Sequence, residues 1–92
     1  MIRSFSHKGL EDFFYTGSKK GIRPEHAGRL ERILDRLNAA SLIKDMNYPG
    51  SFLHRLRGDK EGLYAVRVSG NWRVFFGFAD CDAFAVDYAD YH

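Results

Sequence analysis

Asp90, Tyr91 and His92 stand side by side at the end of the 92-residue sequence. A carboxylate, a phenol and an imidazole each give up a proton, take one, or hold a group that does. A second imidazole, His54, opens an Arg-rich span that includes Arg57, Arg67 and Arg73. Such a set suits RNA cleavage by attack of a 2′-hydroxyl on the adjacent phosphorus. That reaction needs a base at the hydroxyl, cations at the phosphorane and an acid for the departing 5′-oxygen. In this reading His54, His92 or Asp90 moves protons. Arg57, Arg67 and Arg73 hold the charge, because their forked donors match phosphate oxygens. Tyr91 offers a ring for a base to stack on. The product is a 2′,3′-cyclic phosphate.

Each residue also has a plainer reading. Chain ends ordinarily fray, which would leave Asp90-Tyr91-His92 a tail. His54 fits a half-buried strand histidine, and Arg67 and Arg73 fit solvent-facing strand positions. Trp72 and Tyr88 read as core, and His7 and His26 as surface residues with no special role. Other chemistries find less support. The four His lie at 7, 26, 54 and 92, none at i, i+4 from another, and there is no Cys pair. The Gly-rich phosphate loop and the GxSxG elbow are both absent. No metal or cofactor is therefore expected.

Charge is nearly balanced, with 14 Lys and Arg against 12 acids and a net +2. Its distribution is not. Arg55, Arg57, Lys60, Arg67 and Arg73 face only Asp59 and Glu61 within one span, whereas residues 80–92 hold four Asp and no Lys or Arg. Folding can turn the first span into a basic face. Hydrophobic content of 45% supports one small core, so the expectation is a single domain over 1–92. The lone Cys81 excludes an internal disulfide framework, and "MIRSFSHKGL" lacks a signal-peptide apolar region. The expectation is a soluble, cytoplasmic protein that does not enter a membrane.

The elements that must position these residues follow from periodicity. "IRSFS" at 2–6 alternates and predicts a short first strand. Leu10, Phe13 and Phe14 at i, i+3, i+4 predict a short helix closed by Gly17. Pro24 marks a second helix start, and Leu30, Ile33, Leu34 and Leu37 supply its apolar stripe. Arg29, Arg32 and Arg36 lie off that stripe beside Glu31 and Asp35. They read as a solvated face with local ion pairs, or as a surface for RNA phosphate or a partner. After "NYPG" the period changes to two. Phe52, His54 and Leu56 share a face; Tyr64, Val66 and Val68 oppose Leu63, Ala65 and Arg67. Trp72, Val74, Phe76 and Phe78 oppose Arg73, Phe75 and Gly77, and Phe84, Val86 and Tyr88 share a face. The tight turns between these runs predict an antiparallel meander. The order is β-α-α-β-β-β-β, an α+β fold with two helices on one face of a mainly antiparallel sheet. Arg67 and Arg73 flank the Ser69–Asn71 turn, on neighbouring strands and opposite the heavy apolar residues.

These motifs resemble a known family. "MIRSF", "FYTG", "LHRLRGDKEGLYAVRVSGNWRVFF" and "DYADYH" occur in order and span essentially the whole chain. The sequence is similar to the HigB toxins, a branch of the RelE-like ribosome-dependent mRNA interferases. The resemblance implies a microbial-RNase-like α+β fold and cleavage of mRNA in the A site of the 70S ribosome. It implies a cognate HigA-type helix-turn-helix antitoxin, with operator DNA bound only through the toxin–antitoxin complex. Carried over residue by residue, the family's catalytic and RNA-contacting cluster falls on His54, Arg73, Asp90, Tyr91 and His92. Arg57 stands where relatives often carry Lys; it keeps the charge but cannot serve as an acid near neutral pH. Arg67 and Lys60 join Arg57 as phosphate contacts. His92 and Asp90 rank ahead of His54 for proton transfer, and Arg73 is assigned to the transition state. The residues alone leave a non-catalytic RNA- or ribosome-binding module, or a pure interaction protein, as alternatives.

Overall fold

The computed structural model describes residues 1–91. Helix α1 spans Lys8–Thr16 and buries Leu10 and Phe13, with Phe14 half-buried beside them. His7 is its N-cap: Nδ1 accepts the Leu10 backbone N–H at 2.9 Å. This satisfies one of the donors every helix start leaves unpaired. Gly17 ends the helix at φ 79°, with its N–H on the Phe13 carbonyl. Helix α2, Ala27–Ala39, follows a short 3-10 turn at Pro24–His26. Its buried stripe is Ala27, Leu30, Ile33, Leu34 and Leu37.

The sheet runs β1 (His54–Arg55), β2 (Tyr64–Ser69), β3 (Trp72–Ala79) and β4 (Asp82–Asp90), in that spatial order and antiparallel throughout. The helices cover one face. Val66, Val68, Val74, Phe76, Val86 and Tyr88 meet them there in one core. Each such large side chain removed from water contributes about 1.5–3 kcal/mol. The first strand expected at 2–6 reduces to two parallel bridges, Ile2 to Ala83 and Phe5 to Val86. Arg3 and Ser6 donate to the Ala83 and Val86 carbonyls, so this segment covers the free edge of β4 without forming a full ladder.

The side chains of His26, His7 and Phe84 depart from the sequence expectation. His26 is buried, not on the surface, and its Nδ1 hydrogen-bonds the Tyr88 hydroxyl, tying the entry of α2 to β4. His7, besides capping α1, sets its ring edge-on to Tyr88 at 5.5 Å. Phe84 leaves the face it was expected to share with Val86 and Tyr88. The register of β3 with β4 shifts between Phe75 and Gly77, and Ala85 turns to φ 53°. That bulge transfers Phe84 to the uncovered face, opposite Gly77, where its ring fills the space a Cβ at Gly77 would take.

Candidate active site

The uncovered face of the sheet carries the candidate residues, and the register orders them in rows. His54 pairs with Ala65, Ala65 with Phe75, and Phe75 with Asp87. Two residues along, Arg67 pairs with Arg73 and Arg73 with Ala89. Neighbouring strands lie about 4.8 Å apart, and two residues advance a strand by roughly 6.7 Å. The two rows therefore occupy one small patch. Arg67 and Arg73 sit side by side on it, as the turn between them required.

The floor of the patch is apolar. Leu56, Ala65 and Phe75 are buried in a second cluster, with Leu63 and Ala89 packed against it. Phe75 is central. Tyr91 sets its ring edge-on to Phe75 at 5.4 Å, and the Lys60 ammonium lies 5.0 Å from the same ring. The Tyr91 N–H donates to the Asn71 carbonyl at 2.8 Å, so the chain past β4 stays zipped to the turn after β2. The small side chain of Ala89 leaves room for Tyr91 to lean back over the patch.

Two side chains are held in defined states. His54 Nδ1 lies 3.0 Å from the Phe52 carbonyl, which can only accept, so Nδ1 carries the proton. In the neutral ring Nε2 is then the nitrogen able to take a proton. Arg73 Nη1 donates to the Gly70 carbonyl at 2.7 Å and the Trp72 carbonyl at 3.1 Å. Those bonds fix the guanidinium plane and leave Nε and Nη2 without a partner among the described residues. Arg67 lies with its guanidinium 5.6 Å from the ring of Phe52, which is 64% exposed.

Not every expected residue joins this patch. Asp90 pairs with Trp72, one position out of step with Arg73, Ala89 and the Tyr91 ring. Its register therefore assigns it to the alternate face, at the sheet end. Arg57 is exposed at the entry to the 3-10 turn Gly58–Lys60 and lines a shallow cavity of about 330 Å³ with Arg55, Leu56 and Glu61. His92 lies outside the described residues. The sequence reading missed Phe75 as the floor, Phe52 as an exposed ring, and Asp87. Asp87 shares the Phe75 row and accepts the Tyr88 N–H at 2.8 Å. The alternation of "WRVFF" and "VDY" contained the Phe75 and Asp87 placements. Phe52 was not readable, because its φ of 48° takes it out of the strand pattern.

Two helices on one side of an antiparallel sheet and a basic, aromatic-floored face on the other make a small α+β protein, an arrangement consistent with the RelE-like fold. The model of the RelE-like toxins of type II toxin-antitoxin systems, HigB, matches residues 3–92, and the chain belongs to this HigB-like toxin family. It is 38% identical over 92 residues to Endoribonuclease HigB of Proteus vulgaris, an alignment covering 100% of both chains.

Proposed function

We propose that the chain is the toxin of a type II toxin-antitoxin system and an endoribonuclease that cuts mRNA in the ribosomal A site. The observation that carries this reading is the uncovered face, where Arg67 and Arg73 pair across two strands beside His54, Lys60 and Tyr91. Family membership and the relative's name support the toxin role and the RNA substrate. In this reading the scissile phosphate sits over the Arg67–Arg73 pair. Arg73, anchored through Nη1, directs its remaining donors at the non-bridging oxygens as charge builds there. On this reading His54 Nε2 accepts the 2′-hydroxyl proton, and His92 or Asp90 returns one to the 5′-oxygen. Asp90 reaches the patch only if the end of β4 turns over when RNA binds. Tyr91 and Lys60, both resting on Phe75, hold a base and a phosphate. The ribosome supplies the in-line alignment of the 2′-hydroxyl that a flexible single strand lacks. A HigA-type helix-turn-helix antitoxin is the expected partner, operator DNA is reached only through that complex, and the place of action is the cytoplasm.

Arg73→Ala tests the assignment. Loss of one well-placed donor to a developing charge costs on the order of 100- to 1,000-fold in rate. Single-turnover cleavage on programmed ribosomes, with ribosome binding measured alongside, is expected to show that loss at near-normal binding. Cleavage at the unaltered rate would remove Arg73 from the mechanism. Ribosome binding without cleavage by the parent protein would instead favour a binding module.

A further inference from the structure

Arg29, Arg32 and Arg36 recur at i, i+3 and i+7 along α2, which stacks them on one flank of the helix. The local ion pairs expected with Glu31 and Asp35 do not form among the described residues. The two acids lie on the other flank of α2, in the cleft with Phe13 and Phe14 of α1. The helix thus sorts its charges, acids to one side and arginines to the other.

The arginine flank opens on a cavity of about 340 Å³. Arg29, Arg32 and Arg36 line it from the helix, Arg67 lines it from β2, and the Tyr48–Gly50 turn closes it. Among the described residues no carboxylate lines this cavity. Two of the cations are set by other contacts. Arg29 Nη1 donates to the Val68 carbonyl at 2.8 Å, and the Arg36 guanidinium stacks 4.6 Å from the Tyr48 ring. Burial raises the pKa of Tyr48 despite Arg36 and Arg29 nearby, so the phenol stays neutral and brings no negative charge. Asp45 stands farther along, beyond Arg36, with its carboxylate turned back onto the Ser41 and Leu42 N–H groups.

Four guanidiniums around one open cavity repel one another until an anion enters. Arg67 belongs both to this cavity and, by its register with Arg73, to the candidate catalytic face. The exposed Phe52 ring lies under the Arg67 guanidinium at that junction. A polyanion crossing the catalytic face would pass Phe52 and meet the α2 arginines next. We propose that the Arg29–Arg32–Arg36–Arg67 groove is a second RNA-binding site, which grips backbone phosphates of the strand beyond the point of cleavage while Phe52 stacks on a base between the two sites. This rests on the endoribonuclease reading and extends it. An acidic protein segment would also suit the arginines. Continuity with the catalytic face and an exposed ring at the junction favour RNA, since a stacking platform serves bases of any sequence.

The test is equilibrium binding of a fluorescent, fully 2′-O-methylated oligoribonucleotide, which the 2′-hydroxyl route cannot cut, measured by anisotropy over a range of salt. The variants are Arg32→Gln/Arg36→Gln and, as a charge-matched control, Lys19→Gln/Lys20→Gln in the loop after α1. All four residues are exposed, and melting curves verify folding. Each phosphate contact on a single strand contributes roughly 0.7 to the slope of log affinity against log salt. Arg32→Gln/Arg36→Gln is expected to bind more weakly, with a slope shallower by about 1.4, and the lysine pair to keep the parent slope. An unchanged slope in the arginine variant overturns the groove, and so does an equal change in both variants or an oligomer the parent protein does not bind. Unchanged RNA binding with lost binding of a polyglutamate peptide would overturn it in favour of a protein partner. Cleavage of unmodified mRNA on ribosomes is scored in parallel. A protein that shows the slope change but cuts nothing keeps the groove and loses the enzymatic reading; one that cuts without the slope change loses only the groove.

Discussion

Phe75 and Phe76 are adjacent, both buried, and on opposite faces of β3, which makes them a matched pair for separating stability from function. Phe75 floors the candidate site; Phe76 belongs to the helix-covered core and stacks on Tyr64 at 5.9 Å. Changing either to Leu keeps an apolar residue of similar bulk, and the repacking costs about 1 kcal/mol. Phe75→Leu also removes the edge contact with Tyr91, worth about 0.5–1.5 kcal/mol between buried rings. Tyr91 is 42% exposed, so the lower end applies. It further removes the Lys60 contact, worth roughly 0.5–1 kcal/mol at a surface. The stability loss is then about 2 kcal/mol, a fall in melting temperature of roughly 8–16 °C for a domain this small. The two ring contacts, together about 1–1.5 kcal/mol, are those that hold Tyr91 and Lys60 over the patch. Their loss predicts a fall in kcat/KM of about 5- to 13-fold at a temperature where both variants are folded. Phe76→Leu loses comparable stability but keeps kcat/KM within about two-fold, since it touches neither Tyr91 nor Lys60. The assay is ribosome-dependent cleavage at several enzyme concentrations, with melting followed by circular dichroism. Equal activity of the two variants would refute the reasoning that Phe75 organises the site, whatever the melting temperatures.

Tyr88→Phe removes the hydroxyl that partners buried His26 and leaves that imidazole without the bond. An orphaned buried polar group costs about 1–3 kcal/mol, so urea unfolding is expected to shift by that amount; no shift would mean the bond contributes nothing net. Asp82 is held below the usual carboxylate range, first by its hydrogen bond from Arg3 and also by that residue's charge. A depressed folded pKa adds stability that is present above the unfolded value, about 3.9, and is lost as pH falls through the lower folded value. Asp82→Asn is therefore expected to destabilise the protein at neutral pH and to converge with the parent in acid; a difference that persists undiminished below pH 3 would contradict the assignment.

The sequence carried much of this fold because its periods were unambiguous. The stripes of α1 and α2, the alternation in β2 and β3, and the turn at Ser69–Asn71 together dictate that Arg67 and Arg73 meet. What escaped was decided by single backbone events. One bulge at Ala85 moved Phe84 across the sheet, since a one-residue slip exchanges faces. The same strictness of register set Asp90 opposite Trp72 and out of step with Arg73, which the contiguous "DYH" string could not reveal. His26 looked like a surface histidine because no local pattern marks a partner 62 residues away. The charges of α2 looked paired because Glu31 and Asp35 alternate with the arginines along the chain, but only Arg32 and Asp35 stand at i, i+3, and the helix sets acids and arginines on separate flanks.

In the proposed function this uncovered face cuts mRNA through the message's own 2′-hydroxyl, with the ribosome presenting the strand. The most direct measurement is to map cuts and end groups on a defined mRNA held by programmed ribosomes, using one message with all its 2′-hydroxyls and one with a single 2′-deoxy nucleotide at the A-site cut. Cleavage confined to the A-site codon, a 2′,3′-cyclic phosphate on the upstream fragment and no cut in the deoxy message are expected. Cleavage of the deoxy message at the same bond, or no cleavage by folded protein bound to ribosomes, would contradict the proposed function.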